Sequence, residues 1–193
     1  MAGKMTEIRW HGRGGQGAKT AAIFLAEAVL DQGKHSQGFP EYGPERRGAP
    51  IRGYTRISDE PIRLHCSIAE PDIVIVLDPT LLDSPAAGVT SGTGPDTIFL
   101  INTMETPGDI RRRLGTDGGK VYTVDASLIA KESFGKPIPN MPMIGALAAV
   151  TDIISLDALR ASMAERLGHK FSRAVVDGNI TAVERAAKEL MAE

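Results

Sequence analysis

The sequence is poor in the residues that build redox and metal centres. It has one cysteine, Cys66, so no disulfide framework, iron–sulfur cluster or cysteine zinc site can be assembled from this chain alone. Its four histidines, His11, His35, His65 and His169, lack metal-ligand spacing, and their positions suggest strand ends or surface. No Ser-His-Asp order is recognisable, and Cys66 reads as a packed strand residue rather than a nucleophile. The formal net charge is -2 and the pI about 6.1, which leaves no global basic field for nucleic acid or an anionic membrane. The longest apolar runs, Ile73–Leu77 and Met141–Val150, are too short to span a bilayer. The opening Met-Ala-Gly-Lys-Met-Thr-Glu has no apolar stretch of the secretory kind, so the expected compartment is the cytoplasm.

What is present is ordinary for a globular chain: 42% hydrophobic and 24% charged residues over 193 positions. A chain of this length buries roughly 70% of its unfolded surface, and a single domain over 1–193 is the expectation. Ile8 and Trp10 alternate with charged neighbours as a first strand does. Gly12 to Gly17 form a glycine turn, and Ala18, Ala21, Ala22, Leu25, Ala28 and Val29 follow at helical spacing. His35–Phe39 reads as a second strand. Ile51–Ile57 and Ile62–Cys66, flanking Ser58-Asp59-Glu60-Pro61, read as a β-hairpin. Ile73–Leu77, Thr97–Ile101 and Val121–Val124 are buried-strand candidates. Ser84–Pro95 reads as a surface loop. Helices are expected over Ala126–Phe134, Met143–Ile153, Leu156–Leu167 and Thr181–Met191. The fold class is therefore α/β: a three-layer Rossmann-like domain with a mostly parallel sheet, a β-hairpin and a helical C-terminal third.

Gly12-Arg13-Gly14-Gly15-Gln16-Gly17 stands between a strand and a helix, the context a phosphate-binding turn needs. Glycines let the main chain approach an anion, and free amides at the helix start point partial positive charge at it. Arg13 and Lys19 add positive side chains. A dinucleotide site would want an acidic residue about twenty positions on, and Glu41 has that spacing but lies in a proline-broken loop. A nucleotide-hydrolysing P-loop is disfavoured because Ala18 separates Gly17 from Lys19-Thr20. A tight turn that binds nothing is the remaining reading.

The loop Pro40–Pro50 combines proline and glycine stiffness with Tyr42, Glu41, Glu45, Arg46 and Arg47. Its arginines suit a bidentate clamp on phosphate or carboxylate, or pairing with the neighbouring glutamates. Arg52, Arg56 and Arg63 extend the basic stretch. A second stiff segment, Lys136–Pro142, carries Asn140 just before an apolar helix, as a cap or as a ligand contact. That helix, Met143–Val150, is apolar around its whole circumference, which requires burial in its own core or against another subunit.

Three segments in order resemble a known family: His11–Gly17, Phe39–Pro50 and Asn140-Met141-Pro142-Met143-Ile144-Gly145-Ala146. Together they are similar to the gamma subunit of 2-oxoacid:acceptor oxidoreductases, of which pyruvate:ferredoxin oxidoreductase is the best known. The resemblance runs from Ile8 to the C-terminal helices. It implies an assembly in which thiamine diphosphate with magnesium on alpha and beta subunits attacks the 2-oxoacid. Electrons then leave through 4Fe–4S clusters on a ferredoxin-like subunit, and coenzyme A takes the acyl group. In some members a flavin subunit reduces NAD. The resemblance implies no catalytic residue, cluster or metal in this chain, which instead contributes to coenzyme A binding and to subunit packing. Carried over residue by residue, Gly12, Arg13, Gly14, Gly15, Gln16 and Gly17 are the first candidates for coenzyme A contact, followed by Arg46, Arg47 and Asn140. Pyruvate is the default substrate, with phenylglyoxylate or another aryl 2-oxoacid as the alternative. A free-standing dinucleotide-binding protein and a pure scaffold are the competing functions.

Overall fold

Ile73, Val74, Ile75 and Val76 are all buried, as a strand covered on both faces requires. A computed structural model, which describes residues 5–41 and 48–193, places this strand at the centre of a seven-stranded sheet. The strands are β1 (Thr6–Arg13), β2 (His35–Pro40), β3 (Pro50–Ser58), β4 (Ile73–Val76), β5 (Ile98–Asn102), β6 (Lys120–Val124) and β7 (Met191–Ala192). The helices are α1 (Ala18–Leu30), α2 (Pro107–Leu114), α3 (Ala126–Phe134), α4 (Asn140–Val150), α5 (Leu156–Gly168) and α6 (Arg173–Lys188). The spatial order is β2-β3-β1-β4-β5-β6-β7. β1, β4, β5 and β6 are parallel, while β3 runs antiparallel to β1 and β2, and β7 antiparallel to β6.

Side-chain alternation splits the core into two halves. Trp10, Ile75, Leu100 and Val124 face α1, α3, α4, α5 and α6. Val74, Val76, Phe99, Ile101 and Val121 face the other way, against Ile110 of α2 and the 3-10 turns around Leu81 and Ala87. The result is the mixed α/β, three-layer arrangement that alternating strands and helices imply. The all-apolar helix α4 lies within this core, with residues 140–147 buried. It meets α6 so closely that a Cβ on Gly145 would lie 2.3 Å from the Val183 carbonyl oxygen.

The hairpin is present, but with other arms. β2 and β3 form it, pairing Phe39 with Tyr54 across the 41–49 connection, and Ile62–Cys66 is not a strand. The alternation of Ile62-Arg63-Leu64-His65 imitates a strand, yet both edges of β3 are already taken, by β1 and β2. With no ladder to join, residues 59–72 run as coil. There Cys66 is exposed instead of packed, its sulfur 3.7 Å from Nη2 of Arg56. The 84–95 segment is less superficial than its composition suggests, since Ala87 and Val89 are buried. α2 escaped the sequence reading because Pro107-Gly108-Asp109-Ile110-Arg111-Arg112-Arg113 buries only Pro107 and Ile110, too few to show a helical period. Its end is marked instead by the Thr106 cap, whose hydroxyl accepts from the Asp109 amide at 3.2 Å. α6 starts at Arg173, earlier than its apolar spacing signals, and ends at Lys188, after which Met191 and Ala192 pair with β6.

Candidate functional site

The parallel strands β1, β4, β5 and β6 deliver their following loops to one edge of the sheet, where open α/β sheets bind ligands. The glycine turn stands there. Gly17 adopts φ 85, a left-handed conformation that favours glycine, and is the N-cap of α1 without any side-chain cap. A Cβ on Gly17 would come 2.5 Å from Nδ2 of Asn140, so the absence of a side chain lets the starts of α1 and α4 meet. Asn140 is buried, and its Oδ1 accepts from the Met141 amide at 2.8 Å. Among the described residues no acceptor faces the amides of Gly15, Gly17, Ala18, Lys19 or Thr20, and the first intrahelical bond is Ala21 N to Gly17 O at 2.9 Å. Gly15 is exposed, at φ 102, and nothing lies within 4 Å of where its Cβ would be. These main-chain donors, with the Asn140 carboxamide beside them, are groups that can hydrogen-bond an oxyanion.

Gln16 and Arg13 are engaged inside the protein. Gln16 folds back, with Oε1 accepting from the Arg13 amide at 2.8 Å and Nε2 donating to Oδ2 of Asp78 at 2.8 Å. The Arg13 guanidinium lies 3.3 Å from Asp78 Oδ2 and donates to Thr80 Oγ1 at 2.7 Å and to the Gly48 carbonyl at 3.2 Å. Asp78 also accepts from the Thr80 amide and hydroxyl, at 3.0 and 2.6 Å. Burial alone would raise the Asp78 pKa. Hydrogen bonds from Thr80 and Gln16, with Arg13 nearby, outweigh that and hold its carboxyl below the usual range. The turn is thus braced against the loop after β4 by one carboxylate.

Of the predicted site residues, the structure brings Gly12, Arg13, Gly14, Gly15, Gln16, Gly17 and Asn140 into one place. Arg46 and Arg47 lie outside the described residues. Sequence reading missed a second polar group on the opposite face of the sheet. Arg9 and His11 on β1, with Arg52, Tyr54 and Arg56 on β3, alternate away from α1. His11, near the C-terminal end of β1, is buried rather than at the surface. Its Nε2 accepts from Nε of Arg9 at 3.0 Å, and Arg9 donates further to the carbonyls of Val89 and Ser91 at 3.0 and 2.7 Å. Burial, then the charges of Arg9 and Arg52, push the His11 pKa down to about 3, so the ring is neutral. Burial and Arg52 bring Arg9 down to about 10, so it stays charged at neutral pH. Tyr54 donates to Oε1 of Glu41 at 3.1 Å, which Arg52 also contacts at 3.3 Å. Burial and Glu41 raise the Tyr54 pKa, keeping it protonated as that donor. The alternation that marks these residues is legible in sequence, but it is the same alternation a solvent-facing side would show.

No group of three or more His, Cys, Asp or Glu side chains among the described residues could hold a metal ion. No helix among them is long and apolar enough to cross a membrane. With one exposed cysteine, this chain does not fit the ligation of an iron–sulfur cluster.

Residues 7–189 match the family model described as pyruvate ferredoxin/flavodoxin oxidoreductase. The chain is 46% identical to the pyruvate synthase subunit PorC of Thermotoga maritima, over 98% of this chain and 97% of that one. It is 44% identical to the pyruvate/ketoisovalerate oxidoreductases common subunit gamma of Thermococcus kodakarensis, over 94% and 95%. The crystal structure of the pyruvate oxidoreductase subunit PORC from Thermotoga maritima superposes with a TM-score of 0.86 at 43% identity, covering 98% of this chain and 99% of that one. A 2-oxoglutarate:ferredoxin oxidoreductase from Magnetococcus marinus, solved with 2-oxoglutarate, coenzyme A and succinyl-CoA, shares the fold. Its TM-score is 0.75 at 23% identity, covering 96% of this chain and 31% of that one.

Proposed function

The chain belongs to the pyruvate ferredoxin/flavodoxin oxidoreductase family, and on that premise we propose that it is the gamma subunit of a thiamine diphosphate-dependent 2-oxoacid oxidoreductase, contributing to coenzyme A binding and to assembly. The supporting names are those of its near-full-length relatives, a pyruvate synthase subunit and a common gamma subunit. The reaction is the oxidative decarboxylation of a 2-oxoacid, pyruvate first and an aryl 2-oxoacid such as phenylglyoxylate second, to an acyl-CoA. Thiamine diphosphate, magnesium and 4Fe–4S clusters supply the carbanion and electron chemistry on alpha, beta and ferredoxin-like subunits. Ferredoxin, or NAD through a flavin subunit, takes the electrons. No step of that chemistry is assigned to a residue of this chain.

The observation that carries the coenzyme A reading is the uncapped start of α1 beside Asn140. Coenzyme A bears a pyrophosphate and a 3′-phosphate, and unpaired amides at a helix start bind phosphate oxygens. In this reading Gly15, Gly17 and the amides that follow contact the phosphate, Asn140 flanks it, and Gln16 and Arg13 hold the turn in shape through Asp78. Docking onto the catalytic subunits is favoured by the same edge, where Met104, after β5, and Leu128, at the start of α3, stand 77% and 45% exposed. Gly15→Asp adds a carboxylate beside the amides, where a Cβ would meet nothing within 4 Å and φ 102 strains the backbone of any L residue. In the reconstituted complex it should raise the KM for coenzyme A by at least about tenfold, the equivalent of one lost charged contact, with subunit composition unchanged. Unaltered coenzyme A kinetics in an assembled complex would leave only the scaffold role. Micromolar NAD or NADP binding by the chain alone would favour a free-standing dinucleotide protein.

A further inference from the structure

We infer that the cavity behind the glycine turn, between His11, Arg52, Glu41, Ile51 and Leu81, binds a small oxyanion, a carboxylate or phosphate group. The cavity measures about 230 Å³, and its lining residues Arg52, Leu81 and Ala87 lie on the face of the sheet away from α1. It is therefore separate from the amides at the start of that helix, and the inference does not rest on the coenzyme A reading.

Three observations converge on an anion. The first is a donor. His11 is 1% exposed and lines the cavity. Its Nε2 is occupied as acceptor from Arg9, so the proton of the neutral ring sits on Nδ1. The hydrogen bonds among the described residues leave that N–H without a partner, so it can donate to an oxygen in the cavity.

The second is charge. Arg9 satisfies its donors with His11 and with the carbonyls of Ala69, Gly88, Val89 and Ser91, none of which carries a charge. Arg52 is held by the Ala87 carbonyl and Glu41. Among the described residues one carboxylate, Glu41, thus faces two guanidinium groups. Buried charge is ordinarily paired, and among the described residues the buried Arg9 has no carboxylate hydrogen-bonded to it.

The third is the wall. Leu81 and Ala87 make one side apolar, which lowers the local dielectric and strengthens the attraction for a single negative group. The histidine cannot act as a second cation, because the surrounding charges and burial keep it neutral, so it serves as a hydrogen-bond donor throughout the neutral range.

The test uses the full chain labelled with nitrogen-15 at histidine. The ring signals of His11 are followed as inorganic phosphate and, separately, acetate are added against a chloride background. A saturable shift of the His11 signals is expected. Phosphate alone acting identifies a phosphate group, acetate alone a carboxylate, and both a general oxyanion site. Glu41→Gln keeps an acceptor for Tyr54 and Arg52 but removes the opposing charge, and it should tighten binding about tenfold. Gly15→Asp should leave the His11 response intact, which separates this cavity from the amide cradle. His11 signals that stay still under both anions, or an affinity that Glu41→Gln does not raise, would overturn the inference.

Discussion

Placing a histidine where it cannot be charged makes stability depend on pH, and the dependence can be isolated. In the folded chain His11 takes up a proton only near pH 3, whereas its ordinary value is 6.5. Between those values the unfolded chain binds a proton that the folded chain refuses, so stability falls as the pH falls. From about pH 7.5 to about pH 5 the loss from this one group is about 2 kcal/mol, at ~1.4 kcal/mol per unit below its ordinary pKa. The other three histidines are exposed, so they belong equally to a variant and to the parent. His11→Gln keeps an acceptor for Arg9 and a donor into the cavity, but does not titrate. Urea unfolding of both chains is measured at steps of pH, in buffers free of phosphate and carboxylate. The stability of the parent minus that of the variant should shrink by about 2 kcal/mol over this range. Parallel curves, with a constant difference, would show that His11 is not held neutral and would remove the basis for reading it as a fixed donor.

Gly17→Ala forces a side chain into φ 85 and toward Asn140 Nδ2. A stability loss of about 2–3 kcal/mol is expected in a melting experiment, together with a raised KM for coenzyme A. Asp78→Asn removes a carboxyl whose pKa is held low by the fold. The parent's stability from this group is present above the ordinary carboxylate range and is lost as pH falls through it. The variant should therefore be less stable at neutral pH and show a shallower acid decline, read from thermal melts at decreasing pH.

The elements that sequence reading recovers are those whose periodicity reports directly on burial. Ile73–Val76 needs both faces covered, and Gly12–Gly17 followed by the alanine stripe of α1 can only be strand, turn and helix. The family resemblance rested on His11–Gly17, Phe39–Pro50 and Asn140–Ala146, and family membership bears it out. What failed was whatever depended on vacancy elsewhere in the sheet. Ile62–Cys66 has strand-like alternation, but β3 had no free edge to offer it.

The chain's own order of residues dictates the glycine turn, the buried strands and the absence of any cluster ligand set, because these follow from local backbone freedom, side-chain period and residue count. Tertiary structure alone decides which charged residues are buried. Arg9 and His11 alternate with Ile8 and Trp10 exactly as solvent-facing residues would, and only the layer built from residues 62–70 and 84–91 covers them. Whether an alternating strand has one wet face or two dry ones depends on chain segments distant in sequence, so the neutral histidine and the buried arginine beside it emerge only when those segments fold over them.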